Sequence, residues 1–223
     1  MNLKPPPDTE DIQELKRWCD EAYEFLKHPV FGTMEVGDVP SGNYATFAND
    51  GELNFAGTGR VHIHIRVGAG SFKLGAAGPA AAINGMFSTL AFDKDSDDEV
   101  LYTLLVPYRF VTGSEIRVAV DWFYTGAQDN GTVAWGLEYI CVGPGETVVG
   151  STTTEVAVSA GTHTTDKLVQ TNFAVGEGII GAHAHDLLGI RLYRDISADT
   201  LNTDALLVGA HFEILMDKLG EAT

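Results

Sequence analysis

The most constraining feature of this chain is a two-residue apolar period that recurs through its second half. Ile116, Val118, Val120 and Trp122 alternate with other residues, and Val133, Trp135, Leu137, Tyr139 and Cys141 repeat the pattern. Successive side chains of a strand point to opposite faces, so this period builds half-buried β-strands and does not suit a helix. Gly113-Ser114, Asp129-Asn130-Gly131 and Gly143-Pro144-Gly145 punctuate the runs with residues that favour turns. Residues 99–111 read as another strand, kinked or bulged at Pro107, which has no N–H for a ladder. Residues 146–160, 167–175, 187–194 and 205–216 continue the series. Upstream, residues 43–67 suggest short strands. In the clearest, Val61, Ile63, Ile65 and Val67 share one face, while Arg60, His62, His64 and Arg66 share the other. Residues 86–92 fit one more strand, and the small residues of 68–85 read as a loop. About eight to ten strands at this spacing predict a mainly β fold, an antiparallel jelly-roll-like β-sandwich. We place that body over residues 31–223, preceded by a short N-terminal α-helix.

Residues 1–30 have a different texture. Pro5, Pro6 and Pro7 favour an extended lead, and Asp8 is placed to cap a helix. Ile12, Leu15, Cys19, Ala22 and Leu26 follow the a/d spacing of a coiled coil, and Trp18 and Phe25 widen the stripe. His28-Pro29 ends the pattern. A helix of this length is marginal alone in water, so it must dock on something. It either packs on its own domain or serves as an attachment or oligomerisation helix.

Charge narrows the partners. With Lys+Arg 14 against Asp+Glu 31, the net charge is 14 − 31 = −17. Phosphate backbones and anionic lipids are held by clustered Lys and Arg, so this balance speaks against nucleic-acid and membrane partners. No apolar run approaches the length of a membrane helix. The Pro-rich start has no signal-peptide core, and Cys19 and Cys141 show no metal or redox spacing. Two buried, reduced thiols in a chain made and folded in a reducing cytoplasm is the corresponding expectation.

The motif search nominates no catalytic residue and no cofactor. Gly68-Ala69-Gly70 lacks the third glycine and the following helix of a dinucleotide site. Residues 93–99 imitate the start of a calcium loop at Asp93, Asp95 and Asp97, but Asp98 stands where glycine is needed and Leu104 where glutamate is. A solvated acidic turn is the expectation there. His62 and His64 lie on one strand face and are metal-ligand candidates if copies meet on an axis. Against that, Arg60 and Arg66 flank them, and a polar face is the plainer reading. His183-Ala184-His185 repeats the spacing. Trp122, Trp135 and Tyr139 suit either a sugar-stacking platform or, given their apolar neighbours, a core.

From residue 99 onward a series of motifs stands in order. Val100-Leu101-Tyr102-Thr103-Leu104-Leu105-Val106-Pro107 precedes Gly113-Ser114-Glu115-Ile116 and Asp121-Trp122. Val133-Ala134-Trp135-Gly136-Leu137-Glu138-Tyr139, Arg191-Leu192-Tyr193-Arg194-Asp195, Asp199-Thr200 and Asp204-Ala205-Leu206-Leu207-Val208 follow. His211-Phe212-Glu213-Ile214 and Asp217-Lys218-Leu219-Gly220 close the series. This order resembles a family of tailed-bacteriophage virion structural proteins, across roughly 125 residues or about 55% of the chain. Two histidines that the family often carries before the tryptophan are replaced here by Ala119 and Asp121. The resemblance implies a non-enzymatic β-sandwich on a virion. We expect a homotrimeric capsid decoration or head-fibre module that contacts itself and other virion proteins, such as the major capsid protein. The alternative is a tail-fibre or other tail-associated receptor-binding protein, with a host surface glycan as partner and recognition on loops 68–85, 125–131 and 195–203.

Overall fold

The alternating runs form strands where their spacing predicts them. The computed structural model describes residues 12–27, 34–48, 52–57, 59–127, 130–148, 153–159 and 163–219. Helix α1 spans Ile12–Lys27. It is followed by β1 (Met34–Asp38), β2 (Asn43–Phe47), β3 (Leu53–Phe55), β4 (Val61–Gly68), β5 (Lys73–Leu74), β6 (Ala80–Asn84) and β7 (Phe87–Phe92). Then come β8 (Glu99–Leu105), β9 (Arg117–Tyr124), β10 (Val133–Val142), β11 (Thr153–Ser159), β12 (Leu168–Asn172), β13 (Leu187–Arg194), β14 (Ala205–Met216) and β15 (Lys218–Leu219). The chain divides into two compact units, Met1–Arg60 with Lys218–Thr223, and Val61–Asp217. Strands β1 to β3, which the sequence reading assigned to the sandwich body, thus group with the helix. In that first unit they form an antiparallel sheet in the order β1-β2-β3-β15.

The second unit is an antiparallel β-sandwich. One sheet has the order β12-β9-β14-β7-β6, the other β11-β10-β13-β8-β5. The chain changes sheet between β7 and β8, β8 and β9, β9 and β10, and at each step from β11 to β14. This repeated crossing gives the jelly-roll-like character. β14 runs beside β9 along its length, while on its other side it pairs first with β7 and then with β4. The two inner faces meet in a core where Trp122 of β9 and Trp135 of β10 are fully buried, their ring centroids 6.5 Å apart. Phe92 stands edge-on to Trp135 at 5.0 Å. Leu188, Leu192, Leu207, Phe212 and Ile214 belong to the same core. Each such side chain contributes about 1.5–3 kcal/mol on burial. No described helix is long and apolar enough to cross a membrane.

Several expectations are corrected. Residues 68–85 are not merely a loop: they hold a 3-10 turn at Ala69–Ser71 and strands β5 and β6. The alanine run of β6 has no apolar alternation to betray it; its strand form comes from the ladder with β7. The strand expected over 99–111 ends at Leu105, because Pro107 cannot donate, and the chain re-pairs only at a Phe110–Met216 bridge. Within 146–160 the described strand is Thr153–Ser159. Of the two thiols, Cys19 is exposed and Cys141 only partly buried. The lead 1–8, the Asp8 cap and the His28-Pro29 stop lie outside the described residues, as do the side chains of Phe25 and Leu26.

Candidate functional site

Strand parity decides what the first sheet shows to its outer side. On β14, Phe212 and Ile214 point into the core, so His211 and Glu213 point out. Glu213 lies opposite His64 of β4 and Arg117 of β9, and His211 lies opposite Arg66 and Ala119. One row further, Gln170 of β12 lies opposite Asp121 and donates to its carboxylate at 2.9 Å. Ala119 contributes only a methyl group, so the face is hollow there. The hollow has a volume of about 350 Å³ and is lined by His64, Arg117, Gln170, Asn172, His211 and Glu213.

Val118, Phe173 and Val175 give the hollow an apolar share, and its charged groups are internally balanced. His62 Nδ1 lies 2.8 Å from Glu213 Oε1, and Arg117 Nη1 lies 3.6 Å from Oε2. The His64 and His211 rings are 6.3 Å apart and tilted. His211 Nε2 is buried with no hydrogen-bond partner among the described residues. His62 and His64 therefore do face the same way, as their spacing predicts. His62 is engaged by a carboxylate, and no three His, Cys, Asp or Glu among the described residues gather as a metal-ligand set. In the second histidine pair, the His183 backbone N–H donates to the Asp186 carboxylate at 2.7 Å, and His185 lies against Tyr108. Arg117, Gln170 and Asn172 were not singled out from the sequence, and His211 and Glu213 entered only as part of the motif series, not as site residues. Their alternation was readable, but the cross-strand register that unites them was not.

The outer face of the second sheet carries a shallower apolar groove of about 320 Å³, lined by Leu101, Thr103, Ile140, Gly189 and the Arg191–Glu138 pair. Arg191 also binds Glu99 and lies 4.4 Å over the Tyr193 ring. Glu99 accepts from the Ala76 backbone N–H at 2.7 Å. That bond, helped by Arg191, holds the Glu99 carboxyl below its ordinary 4.5. A carboxyl with a lowered folded-state pKa contributes stability above its unfolded value and loses it as pH falls through the folded one. Urea melts should therefore show stability declining below pH 4.5, and Glu99→Gln should flatten that decline. An unchanged slope in the variant would refute the assignment.

The aromatic platform is core. Trp122 and Trp135 are fully buried and Tyr139 nearly so. Trp122 Nε1 donates to Thr171 Oγ1 at 3.0 Å, and Tyr139 Oη accepts from Ile180 N at 3.1 Å. The acidic turn is tied inward: Asp98 accepts from Asp93 N–H, and Asp97 accepts from Ile196 N–H. Loop 195–203 is pinned by Arg194, which is wholly buried and paired with Asp199 at 2.7 Å.

On helix α1 the apolar stripe is largely bare. Ile12 is 76% exposed, Leu15 is 43% exposed, and Cys19 is exposed, whereas Trp18 is half-buried and Ala22 buried.

No family model and no curated protein matches this chain. Among solved structures it is similar to the CBM36-1 domain of a multidomain xylanase from the hindgut metagenome of Trinervitermes trinervoides. That match has 15% identity over 68% of this chain and 96% of the other, with a TM-score of 0.42. A carbohydrate-binding module CBM36 in complex with calcium and xylotriose matches at 18% identity over 66% and 98%, with a TM-score of 0.39. A protein of unknown function from Shewanella oneidensis MR-1 matches at 11% identity over 95% and 97%, with a TM-score of 0.25. At these values none of them assigns a ligand or an activity to this chain.

Proposed function

We propose that this protein is a non-enzymatic structural module of a bacteriophage virion, a homotrimeric capsid decoration or head-fibre protein that assembles through helix α1. The observation that carries this reading is the exposure of the a/d stripe at Ile12, Leu15 and Cys19. A helix of 16 residues gains little from propensity alone, so Ile12, Leu15 and Cys19 call for a partner surface. The family resemblance of the motif series supplies the virion setting. The exposed Arg60 and Arg66 face suits contact with acidic groups of a neighbouring virion protein.

Light scattering at low micromolar concentration tests the assembly. The wild-type chain should have about three times the mass of a Leu15→Asp variant, since a carboxylate at a d position removes the apolar seam. Equal single-chain masses would sink the trimer. Purified virions should also lose the protein when residues 1–28 are deleted; retention with unchanged stability would count against attachment through the leader. A second reading, a tail-associated receptor-binding protein, is favoured by this hollow, whose Arg117, Gln170 and Asn172 beside apolar Val118, Phe173 and Val175 suit a hydroxylated ligand. Retention of a host surface glycan by the purified chain, lost in Arg117→Ala, would support it. A silent glycan array would discard it.

A further inference from the structure

Strand β6 is the last strand of its sheet and pairs only with β7 among the described residues. An edge strand offers a row of unpaired N–H and C=O groups, and folded proteins guard such edges with charge, proline, bulges or cover. Pro79 stands immediately before β6, but the span itself, Ala80-Ala81-Ala82-Ile83-Asn84, carries no charge, proline or bulge and pairs with β7 in unbroken register. Residues 74–92 contain no charged side chain at all, in a chain whose net charge is −17. The turn that follows adds apolar surface. Ile83 is 78% exposed, Met86 fully exposed and Phe87 55% exposed, with Phe87 resting on Phe123 at 5.3 Å. Gly85, at φ 57, makes the two-residue turn possible. The edges at β11 and β12 differ: β11 contains Glu155 and β12 is flanked by Asp166 and Lys167.

We propose that β6 is a docking edge for a second copy of this chain, pairing antiparallel as β6 with β6 across a two-fold axis. Two features select that occupant. Two copies of so acidic a chain repel wherever charged surface meets charged surface, and the uncharged strip is where that repulsion is least. An antiparallel edge is also self-complementary: the same residues supply donor and acceptor on both sides, and the apolar side chains of each turn lie along the partner strand. The ladder register sharpens the geometry. Asn84 and Phe87 close the two-residue hairpin and form a hydrogen-bonded pair, so the alternation sends the N–H and C=O of Ala81 and Ile83 away from β7. These are the groups that a second copy binds. The inference is independent of the helix and of the virion reading, because it uses only β6, its turn and the net charge.

Five paired residues and one turn bury less than the ~1,200 Å² of a standard stable interface, so the pairing belongs to concentrations above the low micromolar range. In a Leu15→Asp chain, which lacks the helix-mediated assembly, it doubles the mass. The test is hydrogen exchange of the 80–84 segment in the full chain across a hundredfold concentration series, together with light scattering. The amides of Ala81 and Ile83 should slow at least tenfold at the high end and return to free rates on dilution. Ala81→Pro removes one outward donor and leaves the β6–β7 bonds intact, so in the Leu15→Asp background it should halve the mass at high concentration with the strand signal unchanged. If that variant unfolds, Ile83→Lys gives the same reading by placing charge on the edge. Leu15→Asp should leave the concentration-dependent protection in place, which separates this pairing from the helix-mediated one. Free exchange at Ala81 and Ile83 at every concentration overturns the proposal, as does a mass insensitive to both edge variants.

Discussion

Replacing Arg194 by methionine should destabilise the fold by about 3–5 kcal/mol, the cost typical of breaking a buried ion pair. For a chain of this size that corresponds to a fall in Tm of roughly 6–20 °C. The guanidinium is completely buried and uses all five of its N–H donors. Nε and Nη2 bind the two oxygens of Asp199 at 2.7 and 3.1 Å. Nη1 donates to the carbonyls of Phe92 and Thr203 at 3.0 and 2.9 Å, and Nη2 also donates to Leu201 at 3.1 Å. One side chain thus ties the end of β7, the end of β13 and loop 195–203 together. Its removal leaves the Asp199 carboxylate, only 2% exposed, without its countercharge. Arg194→Lys should rescue little, because an ammonium cannot reproduce the planar fork. The double variant Arg194→Met with Asp199→Leu should recover part of the loss, since no uncompensated charge then remains. Urea melts of the four proteins decide the matter. A single Arg194→Met loss under about 1 kcal/mol, the range of an exposed pair, would refute the keystone role.

The same residue shows how far the chain could be read unaided. Leu188, Ile190, Leu192 and Arg194 share one parity on β13, so the alternation that revealed the strand also placed an arginine on its buried face. Its partners lie outside that local pattern, because Phe92 is 102 residues away. The core was legible for a related reason: Trp122 and Trp135 sit on the apolar parity of their strands, and both are buried. β6 was illegible because alanine has no strong strand preference and no alternation to report. The hollow was half-legible. His62 and His64 were visible on β4, whereas the choice of β14 as its neighbour depends on long-range pairing that no local spacing encodes. The stripe of α1 was legible as a pattern, and its exposure at Ile12 and Leu15 is what the structure adds.

That pairing depends on one glycine, and Gly209→Ala should destabilise the sandwich by about 1–3 kcal/mol, the range for forcing atoms into a filled site. β14 changes partner from β7 to β4 near this residue, and its register with β9 shifts between Leu207 and Gly209. A Cβ on Gly209 would overlap the Val67 carbonyl oxygen of β4, with the carbonyl carbon at 3.2 Å and the Gly68 Cα at 3.3 Å. Those are backbone atoms of a paired strand, so no side chain can swing aside to make room. Gly68 faces Gly209 across the ladder, and a Cβ there meets nothing within 4 Å. Gly68→Ala is therefore the matched control and should change stability by no more than a few tenths of a kcal/mol. The consequence reaches the candidate site, because side-chain period fixes which face each residue joins. A one-residue slip of β14 past the shift would turn Phe212 and Ile214 outward and His211 and Glu213 inward. Gly209→Ala should thus loosen β4 and weaken the His62–Glu213 contact, read as faster exchange of the β4 amides in the variant than in Gly68→Ala. Equal stability and equal exchange in the two variants would show that β14 accommodates the methyl group, and that the register shift does not depend on glycine.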